Sequence, residues 1–213
     1  MDTGRASDRL LSVDGLEMAT AERTDLADLL ETLTPGQWEA PSLCEGWRVR
    51  DVVAHVMSFD GVSLLGMFRR AIRGRNQVGV DELASLTTEQ LLHRLRAHLR
   101  PQGLATILGG RLALLDVTIH HQDIRRPLGM PRQIPTERLR WVLGASVCSP
   151  ELPAWRLARG IRLTPTDLDW THGKGPEVTG PAEAVLMAIT GRRSAIGELA
   201  GPGQPVLAGR LAR

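Results

Sequence analysis

The sequence predicts a mainly helical protein, a four-helix bundle followed by a small C-terminal α+β segment. Apolar residues recur at helical spacing over four long stretches, which is the primary signal for amphipathic helices. The chain is 42% hydrophobic but has no Tyr and only two Phe, so its core must rest on Leu, Val, Ala, Ile and Trp. That mixture favours helices. At 213 residues, the chain is long enough to bury a real core.

The four long helices are predicted from apolar spacing and from the Pro and Gly residues that break the pattern. Thr34, Pro35 and Gly36 supply a stop after the first helix, and Gly74 ends the second. A shorter helix is expected within residues 81–99, with Thr87 or Thr88 as its N-cap. The long helices are predicted at residues 13–33, 49–73, 104–126 and 135–147.

The pattern changes after Pro150. Residues 161–170 alternate like a strand, a Gly-Lys-Gly turn follows, and residues 177–179 are expected to pair back as a β-hairpin. Short helices are predicted at residues 182–190 and 194–199. The sequence therefore predicts a helix-bundle domain over residues 8–149 and a compact α+β appendage over residues 155–213.

Charge and cysteine content exclude several classes of protein. The formal net charge is +2 and basic residues alternate with acidic ones, so no nucleic-acid-binding surface is expected. No apolar run approaches the length of about 20 residues that a membrane helix needs, and no export signal is recognised at the start. Cys44 and Cys148 lack a paired spacing, which predicts free thiols and a cytoplasmic location.

The basic residues are almost all Arg, and Lys174 is the only lysine. This bias is typical of high-GC codon usage and indicates an actinobacterial source. The sequence does not determine the oligomeric state, for which a homodimer is one candidate.

The residues with the clearest chemistry are Asp116 and His120 in the third long helix. They are four positions apart, so their side chains project from one face about a turn apart and can chelate one ion. Catalytic metal sites typically use three protein ligands and leave one position open. His55, surrounded along its helix by Val52, Val56 and other apolar residues, is the best third ligand.

Spacing alone leaves a second interpretation open. His55 can equally be a buried core histidine with a hydrogen-bond partner, and Asp116 and His120 can form an ordinary polar pair. An Asp and a His at this spacing are common in helices that bind no metal.

Two stretches of the chain resemble the mycothiol-dependent maleylpyruvate isomerase family, which belongs to the DinB-like metal-binding bundles. The first is residues 33–55, from Leu-Thr-Pro-Gly-Gln-Trp to Asp-Val-Val-Ala-His. The second is residues 116–129, in which an acidic residue precedes a ligand His by four positions. Residues 160–170 and 180–192 also resemble the family's small C-terminal segment. The family usually carries Glu at the first position of the acidic pair, where this chain has Asp116.

The resemblance implies a DinB-like bundle that holds zinc, nickel or another first-row divalent metal through His55, Asp116 and His120. It further implies an enzyme, a transferase or isomerase, that takes mycothiol as co-substrate. The open coordination position would bind the thiol sulfur and convert it to a thiolate that reacts with a small electrophile. The competing hypothesis is a non-catalytic module that senses a ligand or keeps the ion for structure.

Several neighbouring residues allow two interpretations. Asp123 can hold the far nitrogen of His120 or form an exposed pair with Arg126, and Asp51 presents the same choice relative to His55. His121 lies about 140° around the helix from Asp116 and is not expected to share the ion.

Other candidates lie outside these two helices. Cys44 can line the site or be a small buried thiol, and Arg192 can contact a substrate carboxylate or end a solvated helix. An Arg group at the end of the second helix complements the helix dipole or contacts a phosphate or carboxylate. Three histidines are expected at the surface. The Arg group is Arg69, Arg70, Arg73 and Arg75, and the histidines are His93, His98 and His172.

Overall fold

A computed structural model describes residues 3–58, 80, 81, 83, 85–106, 109–150 and 152–212. The C-terminal part of the predicted second helix, its Gly74 stop and the Arg69 to Arg75 group lie outside the described residues. By their contacts, the residues divide into two units, Met1–Pro131 and Arg132–Arg213.

The first unit is helical in its described part. The long helix α1 packs along α5, and α3 packs against both α4 and α5. Aliphatic side chains from these helices, with Trp38 from α2, form one buried cluster. The elements in chain order are α1 (Thr3–Glu31), α2 (Pro35–Trp38), α3 (Val49–Met57), α4 (Thr88–Ala97), a 3-10 helix (Gly103–Thr106) and α5 (Arg111–Arg125).

Side-chain caps fix the starts of two of these helices. The Thr87 hydroxyl accepts the Gln90 N–H, and the Gln90 side-chain oxygen accepts the Thr87 N–H, so Thr87 is the N-cap of α4. Thr34 and Gln37 repeat this arrangement at α2. The predicted stop at Pro35 therefore also begins a short helix, because Pro is well suited to a first helical turn.

The predicted start of the third long helix at residue 104 is wrong. The backbone of Gly109 and Gly110 has φ values of 67° and 79°, which separate the 3-10 helix from α5. A Cβ atom on Gly110 would lie 2.8 Å from the Cα atom of Leu16 in α1. Glycine is needed here because α5 begins in direct contact with the α1 backbone.

The second unit combines short helices with a small sheet. Helix α6, which the sequence-based division placed with the first unit, contacts α7 and α8 here. The short helices α7 and α9 are not predicted from the sequence pattern. The elements are α6 (Thr136–Val147), α7 (Ala154–Leu157), β1 (Arg162–Pro165), β2 (His172–Gly173), β3 (Glu177–Gly180), α8 (Ala182–Ile189), a 3-10 helix (Arg193–Glu198) and α9 (Gln204–Leu211).

The predicted β-hairpin is wrong, because β1 and β3 pair in parallel. The two-residue strand β2 pairs antiparallel with the other edge of β1, giving the order β2-β1-β3. The chain thus reverses twice between β1 and β3. Gly173 and Gly175, at φ values of 81° and 125°, allow the second reversal, since a Cβ on either would lie 2.3 Å from a carbonyl oxygen of residue 161 or 160.

The predicted fold class is confirmed: the protein is mainly helical, with one small sheet near its C-terminus. Among the residues that the structure describes, no helix has both the length and the apolar character needed to cross a membrane.

Candidate metal centre

Two helices of the first unit bring the three predicted ligands together. Helix α3 buries its apolar residues, and His55 among them is only 3% exposed. Helix α5 presents Asp116 and His120 from successive turns of one face. The imidazole rings of His55 and His120 meet edge to face, with centroids 4.8 Å apart.

The distances between the donor atoms suit one small divalent cation. The Asp116 Oδ1 atom lies 3.2 Å from His55 Nε2 and 3.5 Å from His120 Nε2. Each of the three residues offers one donor atom, and these atoms lie within 4.8 Å of one another. Ligand bonds of about 2.1 Å in a tetrahedral site place donor atoms about 3.4 Å apart, and two imidazoles with one carboxylate are a common zinc donor set. The residues present therefore fit a zinc-like ion.

The three side chains differ in their exposure to solvent. The His55 side chain is 4% exposed, whereas those of His120 and Asp116 are 13% and 26% exposed. Asp116 and His120 on α5 are thus more exposed than His55 on α3. The contact of His55 Nε2 with the Asp116 carboxylate fits a metal ligand and also fits a buried histidine with a hydrogen-bond partner.

The electrostatics of the centre reflect one carboxylate between two imidazoles. Burial opposes the charged form of Asp116, but the neighbouring His55 and His120 hold the pKa of that carboxyl below its usual range. Burial also opposes protonation of His120, yet the carboxylates of Asp116 and Asp123 raise the pKa of its imidazole to about 10. Without a metal, His120 is therefore an imidazolium at neutral pH.

Asp123 contacts the other nitrogen of His120. The His120 Nδ1–H donates to Asp123 Oδ2 at 2.8 Å, and the Asp123 side chain is fully buried. Of the two interpretations of Asp123, the structure favours contact with the imidazole over an exposed ion pair. Cys44 joins this contact, since its thiol donates to Asp123 Oδ2 at 3.2 Å and lies 3.6 Å from His120 Nδ1.

Cys44, His120 and Asp123 form a second cluster with the residue types of a metal site. The distance of 2.8 Å between His120 Nδ1 and Asp123 Oδ2 is that of a hydrogen bond, and full burial of Asp123 gives a ligand no access from solution. This cluster is therefore better suited to hold His120 in place than to bind a second ion.

The loop between α2 and α3 contacts both imidazoles. Its backbone closes on itself through a bridge between Pro41 and Arg48, and the Ser42 hydroxyl donates to the Trp47 carbonyl at 2.8 Å. The Trp47 ring lies 5.1 Å from the His55 ring, centroid to centroid. Cys44 contacts Asp123 from the same loop. The loop therefore contacts His55 through Trp47, and it contacts His120 and Asp123 through Cys44.

Two buried charged residues of α1 escaped the sequence analysis. Glu22 accepts a hydrogen bond of 2.7 Å from His121 Nδ1, and both side chains are fully buried. Arg23, which is 2% exposed, donates to the His98 carbonyl at 2.8 Å and its charge contributes to the low pKa of Asp116. Their helical spacing indicates burial, because they lie on the same stripe of α1 as the buried residues Ala19 and Leu26.

His121 and Asp51 do not join the predicted ligands. The His121 ring faces Glu22 and accepts a hydrogen bond from Arg125 at 2.8 Å. Asp51 accepts the backbone N–H of Arg48 at 2.9 Å and pairs with its guanidinium at the start of α3. Its role there is to cap the helix.

The other residues singled out from the sequence are the two cysteines, three histidines and Arg192. Cys44 and Cys148 are free thiols, as predicted. His93 is exposed, whereas His98 and His172 are half-buried. In the second unit, the Arg192 guanidinium donates to the Thr190 carbonyl at 2.7 Å.

The fold and the donor set define a helical protein with a candidate divalent-metal centre. The family described as "Mycothiol maleylpyruvate isomerase N-terminal domain" matches residues 19–125, a range that contains all three candidate ligands. The chain belongs to this family, so the predicted family is confirmed.

A solved structure supports the fold over nearly the whole chain. It is a crystal structure of a mycothiol-dependent maleylpyruvate isomerase in which one histidine is replaced by alanine. The match has a TM-score of 0.59 and 15% sequence identity, and covers 90% of this chain and 92% of the other. No curated protein sequence matches the chain.

Proposed function

We propose that the protein is a metal-dependent enzyme that uses a low-molecular-weight thiol, mycothiol by family, to transform a small electrophile in the cytoplasm. The observation that carries this proposal is the convergence of two imidazoles and one carboxylate at a partly exposed position on α3 and α5. Family membership and the fold shared with a mycothiol-dependent isomerase support the choice of thiol.

The metal would be held by His55, Asp116 and His120. Zinc suits this donor set best, while nickel and other first-row divalent ions are chemically compatible with it. When bound, the ion would supply a positive charge that favours the thiolate form of a coordinated thiol.

The chain's own residues would then perform three tasks. His55, buried and in contact with the Trp47 ring, would supply an imidazole ligand from α3. Asp116 supplies the single negative charge of the donor set and keeps it at neutral pH, because its pKa lies below the usual range. Arg192 is our candidate for binding a carboxylate of the substrate, since its planar guanidinium suits a two-point contact.

The thiolate would attack the electrophile and form a carbon–sulfur bond. A transferase would release the resulting conjugate after protonation. An isomerase would break the same bond once rotation in the adduct had changed the geometry, and would return the thiol unchanged. The two outcomes differ in whether the thiol is consumed.

Cobalt substitution tests the proposal directly. We expect added mycothiol, or 2-mercaptoethanol as a simpler probe, to produce a near-ultraviolet sulfur-to-cobalt charge-transfer band. Cys44 is itself a sulfur close to His120, so the spectrum must be repeated with Cys44→Ala. In that variant the thiol-induced band should persist, because it comes from the added thiol.

The second candidate function is a non-catalytic metal module. Closed four-ligand coordination would favour it, whereas an exchangeable position favours the enzyme. If saturating thiol leaves the cobalt spectrum unchanged while cobalt stays bound, the thiol-enzyme proposal fails and the metal module takes its place.

A further inference from the structure

Asp123 is the one carboxylate among the described residues that contacts a candidate ligand from outside the donor set. It lies three residues after His120 on α5, and its Oδ2 accepts the Nδ1–H of that imidazole at 2.8 Å. A neutral imidazole that carries its proton on Nδ1 has its lone pair on Nε2. When His120 loses one proton to bind an ion, the contact with Asp123 keeps the remaining proton on Nδ1 and leaves the lone pair on Nε2, the nitrogen that faces Asp116.

The position of Asp123 is fixed from two sides. Its main-chain carbonyl accepts the Leu43 N–H at 3.0 Å, and its side chain accepts the Cys44 thiol at 3.2 Å on the oxygen that also contacts His120. The loop that contains Trp47 thus anchors α5 at this turn. Full burial of the carboxylate strengthens its contact with the imidazole, because little water screens it.

We propose that Asp123 is a positioning residue that sets the tautomer and donor strength of His120, and that the Cys44 thiol weakens this effect by sharing the same oxygen. The proposal rests on the metal centre proposed above. Carboxylates that hold a ligand histidine typically contribute 10- to 100-fold to metal affinity. A thiol that donates to the Asp123 carboxylate withdraws part of the negative charge of that carboxylate. Removal of the thiol should therefore make His120 a stronger metal ligand.

A purely structural role for Asp123 makes a different prediction. Loss of a buried hydrogen bond would lower the melting temperature of the metal-free protein and leave the bound ion unaffected. A positioning role must also change the ligand field. The visible spectrum of bound cobalt reports that field and does not depend on activity.

The experiment compares cobalt affinity, by chelator competition, and the visible cobalt spectrum in four full-length proteins: wild type, Asp123→Asn, Asp51→Asn and Cys44→Ala. Asp123→Asn should lose about 10- to 100-fold in affinity and shift the cobalt bands. Asp51→Asn removes a carboxylate from the start of α3 that contacts Arg48 and should change neither. Cys44→Ala should bind cobalt about threefold more tightly, as expected for one weak hydrogen bond.

The outcomes separate this inference from the proposed function. If wild type binds cobalt and Asp123→Asn matches its affinity and spectrum, the positioning role is overturned and the metal centre stands. If Asp123→Asn fails to fold, Cys44→Ala decides, and unchanged or weaker binding overturns the proposal. A wild-type chain that binds no cobalt overturns both the centre and the role of Asp123.

Discussion

The Asp116 carboxylate lies within 3.5 Å of the His55 and His120 imidazoles, and it raises the pKa of His120. Its negative charge raises that pKa when no metal is present, and it would attract a cation. Aspartate is one methylene shorter than the glutamate that this family usually has at this position. The length of this carboxylate side chain is therefore the feature in which this candidate site differs from the family.

We predict that Asp116→Ala weakens metal binding and that Asp116→Glu preserves or strengthens it. The alanine removes the only carboxylate of the donor set, whereas the glutamate restores the longer side chain typical of the family. Chelator competition measures both affinities. Equal affinity in wild type and Asp116→Ala would show that Asp116 is not a ligand.

The pKa of His120 predicts how metal binding depends on pH. Because the metal-free imidazole has a pKa of about 10, the ion must displace a proton throughout the neutral range. Apparent affinity should therefore rise with pH and level off only near pH 10. Titrations at three pH values between 6.5 and 9, corrected for the protonation of the chelator, measure this. A flat profile would mean that His120 is already neutral or does not bind the ion.

Among the elements, the loop over residues 41–48 and the start of α5 position the site. The loop resembles the family at the level of sequence, and the structure gives a physical reason: it contacts His55 through Trp47 and Asp123 through Cys44. The sequence predicts the helices that carry the ligands, because apolar spacing is a local signal. It leaves two interpretations of Asp123 open, because only tertiary packing buries this carboxylate against His120.

We predict that Gly110→Ala destabilises the protein by about 2 kcal/mol or more. The new Cβ would meet the Leu16 backbone at 2.8 Å, and the residue would have to adopt a φ of 79°. Urea unfolding measures the loss. The matched control is Gly36→Ala in α2 of the same unit, where no atom lies within 4 Å of the new Cβ.

The control should be neutral or stabilising by up to about 1 kcal/mol, since Ala favours a helix more than Gly does. Equal stability of Gly110→Ala and wild type would contradict the close packing of α5 on α1.

For the molecule as a whole, the sequence predicts the fold class better than it predicts how the strands pair and where the helices begin. The mainly helical class and the small C-terminal sheet are confirmed. Both could be predicted because the spacing of apolar residues differs between helices and strands. The parallel pairing of β1 with β3 is not predictable from alternation, which is the same in parallel and antiparallel strands. The start of α5 was missed because the apolar pattern continues across Gly109 and Gly110, whose backbone conformation interrupts the helix.

The three candidate ligands could be proposed from one spacing and one resemblance, but their convergence depends on tertiary packing. His55 is 61 residues from Asp116 in the chain, and only the packing of α3 against α5 brings them within 3.2 Å. Glu22 and Arg23 were not predicted to be buried, although both lie on the buried stripe of α1 between Ala19 and Leu26.

Metal content per chain is the most direct test of the central claim that His55, Asp116 and His120 hold one divalent ion. Elemental analysis should find close to one metal per chain in the purified wild-type protein and very little in His55→Ala and His120→Ala, since each loses one of three ligands. His93→Ala, which removes an exposed histidine of α4, should retain the metal and controls for the loss of an imidazole. Metal content that is the same in wild type, His55→Ala and His120→Ala would contradict the account.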